Sequence, residues 1–322
     1  MARVLHVETP LRESVPLSRI AGCTVFLKLE NTQHTGSFKI RGIGHACQQA
    51  ALRGCKHIVC PSGGNAGLAA AYAARKLGIP ATIVLPDNVP VCTQERIRHE
   101  GASIQVYGQV WNTANEAALC MAKEDGYTYV HPFDDCLVWE GNMSLVHELK
   151  GTMHGQPGAI VLSVGGGGLL CGVIQGLREV GWEDVPIIAM ETEGTKSLNA
   201  AMAAGKLVTL PEISSVATTL GAKCVAERAF HLATQHPVHP MVVSDKQAVS
   251  ALCRFADDEK MLVEPACGTA LAAIYEDVVK KLQLSGKLDH DLTSVVVIVC
   301  GGSNITLGQL EIWKDQFGIS ST

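Results

Sequence analysis

The chain has 322 residues, of which 47% are hydrophobic and 18% charged, with a formal net charge of −5. That much apolar material excludes a disordered chain, and the absence of a long basic run argues against nucleic acid as a partner. Aromatic residues make up only 5% while glycine numbers 32, a small and aliphatic balance that suits buried parallel sheets.

Taken in chain order, apolar runs of strand length alternate with segments of helical period. Val25–Leu29 reads as a strand and Arg41–Arg53 as a helix. His57–Cys60 is followed by the Ala-rich helix Ala66–Leu77, which stops at Gly78 with Pro80 beyond. Strands Ala81–Leu85 and Ser103–Tyr107, helix Thr113–Glu124 and strand Tyr127–Val130 come next. Then follow strand Ala159–Val164, helix Leu169–Val180, strand Ile187–Glu191, helices Lys246–Asp258 and Cys267–Leu284, and strand Ser294–Cys300. The alternation predicts βαβ units with right-handed crossovers, and hence an α/β fold with parallel-type sheets. Residues 43–135 form one block with four strands and four helices, and 136–322 form a longer second block.

The 12 cysteines are scattered without a CxxC pair, and the N-terminus is charged every few residues. The expectation is therefore reduced thiols in a cytoplasmic protein. No apolar stretch reaches the ~18 residues of a membrane span, so no membrane association is expected. Neither HExxH nor paired cysteines suggest zinc.

Four segments point to chemistry. In Thr35-Gly-Ser-Phe-Lys-Ile-Arg-Gly42, Lys39 stands between two apolar residues. It reads either as a surface lysine at a helix start or, if buried, as an amine of lowered pKa suited to a Schiff base. Cys60-Pro-Ser-Gly-Gly-Asn-Ala-Gly67 follows a strand and opens a helix. It is either a plain turn with Asn65 as its cap or a set of N–H groups for an anion. Val164-Gly-Gly-Gly-Gly-Leu169 places four glycines between strand and helix, a cost in backbone entropy that points to close approach of a phosphate. It fits neither GxGxxG nor a P-loop, so a small phosphorylated cofactor is expected rather than a nucleotide. Val299-Cys-Gly-Gly-Ser-Asn304 ends the last apolar strand. Segments at such strand ends can converge on one crevice.

With Leu262-Val-Glu-Pro-Ala-Cys-Gly268 added, these segments resemble, from about His6 to the C-terminus, the serine/threonine dehydratase family of fold-type II pyridoxal-phosphate enzymes. The resemblance implies that Lys39 holds pyridoxal 5'-phosphate, that Phe38 packs on its ring and that Asn65 bonds the ring hydroxyl. It implies a phosphate cradle of Gly165, Gly166, Gly167, Gly168 and Leu169, and Cys300 facing the pyridine nitrogen. Ser62, Gly63, Gly64, Asn65 and Ala66 would receive the substrate carboxylate. A monovalent cation, K+, would lie on Gly165, Thr195, Leu220, Ala222 and Glu191, although Glu191 by itself also reads as a strand-end carboxylate paired with a base. The implied large domain is 1–42 with 136–322, the small one 43–135, and the cofactor lies in the cleft between them.

The implied reaction is α,β-elimination, in which Lys39 takes the Cα proton. L-serine would give pyruvate and ammonia, and L-threonine 2-oxobutyrate and ammonia, as part of amino-acid catabolism and gluconeogenesis in a homodimer. A β-replacement synthase of the same fold and a low-turnover pyridoxal-phosphate-binding protein are the alternatives. A thiol at Cys300 is a weak donor and would favour elimination over transamination. Similar racemases carry serine where this chain has Gly63, which argues against racemisation. The classical dehydratase has alanine there, so Gly63→Ala is expected to raise activity.

Overall fold

The computed structural model describes residues 4–320. Its larger sheet contains β1 (Leu11–Glu13), β2 (Thr24–Lys28), β7 (Ala159–Ser163), β8 (Ile187–Thr192), β9 (Val238–Val243) and β10 (Ser294–Ile298). The smaller sheet contains β3 (His57–Cys60), β4 (Ala81–Leu85), β5 (Ser103–Val106) and β6 (Tyr127–Tyr129). The spatial orders are β1-β2-β10-β7-β8-β9 and β5-β4-β3-β6. Every pairing is parallel except that of β1 with β2. Strands β4, β7 and β8 are buried along their whole length, which is why they read as unbroken apolar runs.

The helices are α1 (Val15–Ala21), α2 (Lys39–Leu52), α3 (Asn65–Leu77), α4 (Val91–His99), α5 (Trp111–Met121), α6 (Cys136–Thr152) and α7 (Gly168–Glu179). They continue with α8 (Ser197–Ala204), α9 (Glu227–Thr234), α10 (Asp245–Glu259), α11 (Pro265–Tyr275), α12 (Val278–Leu284) and α13 (Leu307–Phe317). One apolar core surrounds the larger sheet, a second packs on the Ile58 and Ile83 face of the smaller sheet, and a small third one of Val59, Val84, Ala114 and Ala118 covers its other face. Helix α2 feeds the second core through Ile40, Ile43, Ala46 and Cys47, yet packs on α6, which packs on α7. These crossings are close because glycines face backbone. A Cβ on Gly42 would sit 2.5 Å from Val138 O, and one on Gly141 would sit 2.4 Å from Arg41 O.

Every strand expected from the sequence is present, with ends displaced by two residues at most. Elements β1, α1, α8, α9 and α13 lie outside the named expectations, and three further departures have a plain cause. The expected helix Cys267–Leu284 is two helices, because Asp277 takes a left-handed conformation (φ 56) between α11 and α12. Strand β9 escaped because Pro240 interrupts its pattern; the residue is tolerated on an edge strand. Helix α6 escaped because its core face includes Gly141 and the buried Asn142 among the aliphatics. Among the described residues, no helix is long and apolar enough to cross a membrane, and no three His, Cys, Asp or Glu side chains gather as metal ligands.

Below the start of α2 lies a buried charge network. The Arg41 guanidinium, fully buried, donates to Glu30 (2.7 and 2.8 Å) and forms a two-pronged pair with Glu148 (2.6 and 2.7 Å). Lys28 Nζ, also buried, adds a 2.5 Å bond to Glu148. Two cations thus meet two carboxylates, and Glu148 is held below the usual carboxylate range by Arg41 and Lys28 against the opposing effect of burial. Removing one member leaves an uncompensated charge. Arg41→Ala should therefore cost about 3–5 kcal/mol, read by urea unfolding; a loss under about 1 kcal/mol, the range of an exposed pair, would contradict the network's role.

Candidate active site

The loops that follow β2, β3, β6, β7 and β10 all leave the carboxyl ends of their strands. Two of them pair directly. Ser37 bridges Gly301 in antiparallel fashion, Phe38 N–H donates to Cys300 O (3.3 Å) and Gly302 N–H donates to Gly36 O (2.9 Å). Lys39 emerges from this pairing as the first residue of α2. Its Nζ donates to Pro132 O at 2.8 Å and stands 5.3 Å from the Phe38 ring centre. Desolvation pushes its pKa down to about 8, with Cys60 and Cys300 acting weakly the other way. The positive end of α2 disfavours an ammonium there as well.

The loop after β3 carries Ser62 to Ala66. Trp111 Nε1 holds its start through Pro61 O (2.6 Å), and Gly64 N–H turns back to Ser62 Oγ (3.3 Å). The N–H groups of Ser62, Gly63, Asn65 and Ala66 have no protein acceptor among the described residues. They sit at the start of α3, where an anion is favoured. A Cβ on Gly63 would lie 2.4 Å from Val89 Cγ2. The extra methyl of Gly63→Ala therefore collides with a branched side chain, and the expected gain from that change is withdrawn.

The tetraglycine loop after β7 is similar. None of the N–H groups of Gly165, Gly166, Gly167, Gly168 and Leu169 has a protein acceptor among the described residues. The glycines themselves have a second cause that the sequence hides. A Cβ would meet Leu220 backbone at 2.9 Å from Gly165, the Phe133 ring at 2.2 Å from Gly166, and Phe133 O at 2.6 Å from Gly168. Gly167 also has φ +89 and faces Ala229. Packing alone thus requires glycine at these positions, and phosphate approach is not the sole reason for them.

Asn65, the first residue of α3, is held at both ends of its amide. Nδ2 donates to both oxygens of Glu264 at 3.1 Å, and Oδ1 accepts from Ser303 N–H (3.1 Å) and Ser303 Oγ (3.0 Å). Cys300 is buried, with its sulfur 3.7 Å from Ser163 Oγ. Gly165 rests on the Leu220 backbone, Ala222 N–H donates to Leu220 O (2.7 Å) and Thr195 Oγ1 lies 2.8 Å from Thr192 Oγ1. Glu191 caps α8 instead of pairing with a base: its two oxygens accept from Leu198 and Asn199 N–H at 2.8 Å each. Burial pushes its carboxyl up to about 8, and those two bonds oppose the rise.

Several site residues carried no sequence signal of their role. His131-Pro132-Phe133 follows β6 without any motif, yet Pro132 O receives Lys39 and Phe133 covers the glycine loop. His131 Nδ1 accepts Phe133 N–H (3.2 Å) and Asp134 N–H (2.7 Å), which leaves the ring proton on Nε2. Ser163 is an ordinary strand-end serine in the sequence. Glu264 lies inside a quoted motif, where a carboxylate before Pro265 at a helix start is unremarkable.

The family described as pyridoxal-phosphate dependent enzyme matches residues 3–301. The chain belongs to that family. It is 59% identical to L-serine dehydratase/L-threonine deaminase of Mus musculus, over 98% of this chain and 97% of that one. It is also 59% identical to the serine dehydratase-like protein of Homo sapiens, over 97% and 95%. Its fold is similar to that of a fungal L-serine ammonia-lyase from Rhizomucor miehei, with a TM-score of 0.91, 39% identity and coverage of 98% and 100%. The family's cofactor fits the residues present: five consecutive N–H groups without protein acceptors among the described residues suit its phosphate, and the desolvated Lys39 amine bonds Pro132 O, next to the Phe133 that covers their loop.

The burial of His131 and the neighbouring Lys39 amine have a consequence for pH. Burial, and secondarily Lys39, push His131 down to about 4. A histidine with lowered pKa is neutral above that value. The ring resonances of His131 should therefore stay flat from pH 5 to 9 in NMR titration; a midpoint near 6.5 would contradict the arrangement.

Proposed function

We propose that this chain is a pyridoxal-phosphate-dependent ammonia-lyase that converts L-serine to pyruvate and ammonia and L-threonine to 2-oxobutyrate and ammonia. The observation that carries the reading is one desolvated amine, Lys39 Nζ, placed among loops whose N–H groups form two sets without protein acceptors among the described residues. One set, Gly165 to Leu169, suits a dianionic phosphate at the start of α7. The other, at Ser62, Gly63, Asn65 and Ala66, suits the carboxylate of an amino acid.

Pyridoxal phosphate, when bound, supplies the electron sink that makes the Cα proton of the amino acid acidic. The chain's own residues do the rest. Lys39 Nζ, with a pKa near 8, carries a useful fraction of free amine close to neutrality and is the base for the Cα proton. The N–H groups of the Ser62–Ala66 loop hold the carboxylate so that this proton faces the amine. Phe38 offers its ring and Asn65 its amide to the cofactor. The Cys300 thiol is only a weak hydrogen-bond donor toward the pyridine nitrogen, which favours prompt elimination over transamination. Gly63 offers no side chain to return a proton to the other face of Cα, so racemisation is not expected.

The same reading assigns 1–42 with 136–322 to a large domain and 43–135 to a small one, a division supported by the two sheets. It includes K+ at Gly165, Glu191, Thr195, Leu220 and Ala222, supported by the contact of Gly165 with Leu220. It includes a homodimer in the cytoplasm, acting in amino-acid catabolism that feeds gluconeogenesis.

The test is release of 2-oxo acid from L-serine and L-threonine by protein loaded with pyridoxal phosphate. Release by the wild type and none by Lys39→Ala is expected; a loaded wild type that releases nothing overturns the proposal. Gly63→Ala should lower kcat/KM, and adding Val89→Ala should restore it. A gain from Gly63→Ala alone would show that Val89 yields freely.

A further inference from the structure

Asn65 can face a ligand with either end of its amide, and the two ends are nearly the same shape. Its neighbours decide the matter chemically. An ionised carboxylate only accepts hydrogen bonds, and a backbone N–H only donates. Glu264 presents both oxygens to one end of the amide at 3.1 Å, and Ser303 N–H meets the other at 3.1 Å. The end near Glu264 must be Nδ2.

Glu264 is well placed to impose this choice. It is 2% exposed and sits immediately before Pro265 at the start of α11. Besides Asn65, it accepts from Thr219 Oγ1 (2.9 Å) and Asn304 N–H (2.6 Å). Its partners therefore come from the start of α3, which follows the interior strand β3 of the smaller sheet, from the loop before α9, and from the loop after β10. Gly302 leaves it room, since a Cβ there would lie 2.1 Å from the Glu264 carboxyl carbon. Burial pushes the carboxyl up while the Asn304 N–H, Thr219 and Asn65 donors hold it down. The surrounding side-chain and backbone groups that touch it all donate.

We propose that Glu264 is a positioning residue of the cofactor site: it fixes the side-chain amide of Asn65 as a hydrogen-bond donor toward the cofactor and strengthens that donor with its charge. Nδ2 carries two hydrogens. Glu264 takes one and leaves the second for an oxygen of the bound cofactor, so Asn65 serves an anionic oxygen and not a hydroxyl proton. The inference rests on the proposed use of pyridoxal phosphate by this chain, but not on which amino acid is deaminated.

The experiment compares Glu264→Gln with wild type by two measurements made without substrate. One is the dissociation constant of pyridoxal phosphate from the cofactor-depleted protein. The other is the position of the bound cofactor's long-wavelength absorption band and its dependence on pH. Glutamine keeps the shape but carries no charge and can donate as well as accept, so Ser303 N–H alone is left to orient the Asn65 amide and Nδ2 loses its charged partner. Weaker binding by ~10-fold is expected, the scale of one charge-assisted hydrogen bond, together with a shifted band.

Both effects should vanish when Glu264→Gln is made in an Asn65→Ala background, because the carboxylate acts through that amide. Binding and spectrum equal to wild type overturn the proposal. So does an equal loss with and without Asn65, which would mark Glu264 as a packing group only. If Glu264→Gln does not fold, Glu264→Asp keeps an acceptor-only group one methylene short. Weakened binding that disappears in Asn65→Ala is again expected, and wild-type binding overturns the proposal. A protein that binds pyridoxal phosphate but releases no 2-oxo acid defeats the proposed activity and leaves this test readable.

Discussion

The pairing of Gly36–Phe38 with Cys300–Gly302 is the contact on which the rest of the structure depends. It ties the start of α2 to the end of β10, a strand in the interior of the larger sheet. Lys39 follows at once, so the amine inherits the position of that junction. Its desolvation and its place at the positive end of a helix both lower its pKa. Beneath it, Arg41 anchors the same helix to Glu30 and Glu148. The reactive amine is thus carried on a segment fixed at two adjacent points, as a precise site demands.

The second constraint is closeness. Helices α2, α6 and α7 approach through Gly42, Gly141, Gly172 and Gly176, each of which faces another helix. The glycine loop lies against Phe133 and Leu220 with no space for a side chain. This explains why a chain so poor in aromatic residues is rich in glycine and alanine. Three of the 15 aromatics, Trp111, Tyr129 and Phe133, form one cluster with His131 beside the loops after β3 and β6.

Much of this was legible in the sequence, for physical reasons. Buried parallel strands leave continuous apolar runs, and glycine-rich loops at their ends stand out because glycine is costly there. Lys39, Asn65 and the glycine loop could be picked out as candidates, and the resemblance to the dehydratase family gave them roles. What stayed hidden depends on partners far apart in the chain. Glu264 and Asn65 are 199 residues apart, and nothing near either predicts their bond. Pro132 acts through its carbonyl, which leaves no trace in side-chain chemistry. The collision of a residue 63 side chain with Val89 is a matter of three-dimensional packing, and it reversed the expectation for Gly63→Ala.

The account stands or falls on the state of one amine. Its most direct test is to add pyridoxal phosphate to the cofactor-depleted protein at a series of pH values, reduce with borohydride, and map the modified peptide by mass spectrometry. The account predicts a single modified residue, Lys39, with labelling that rises with pH through about 8. Label on another lysine, or a midpoint near the ordinary lysine value of about 10.4, would contradict it.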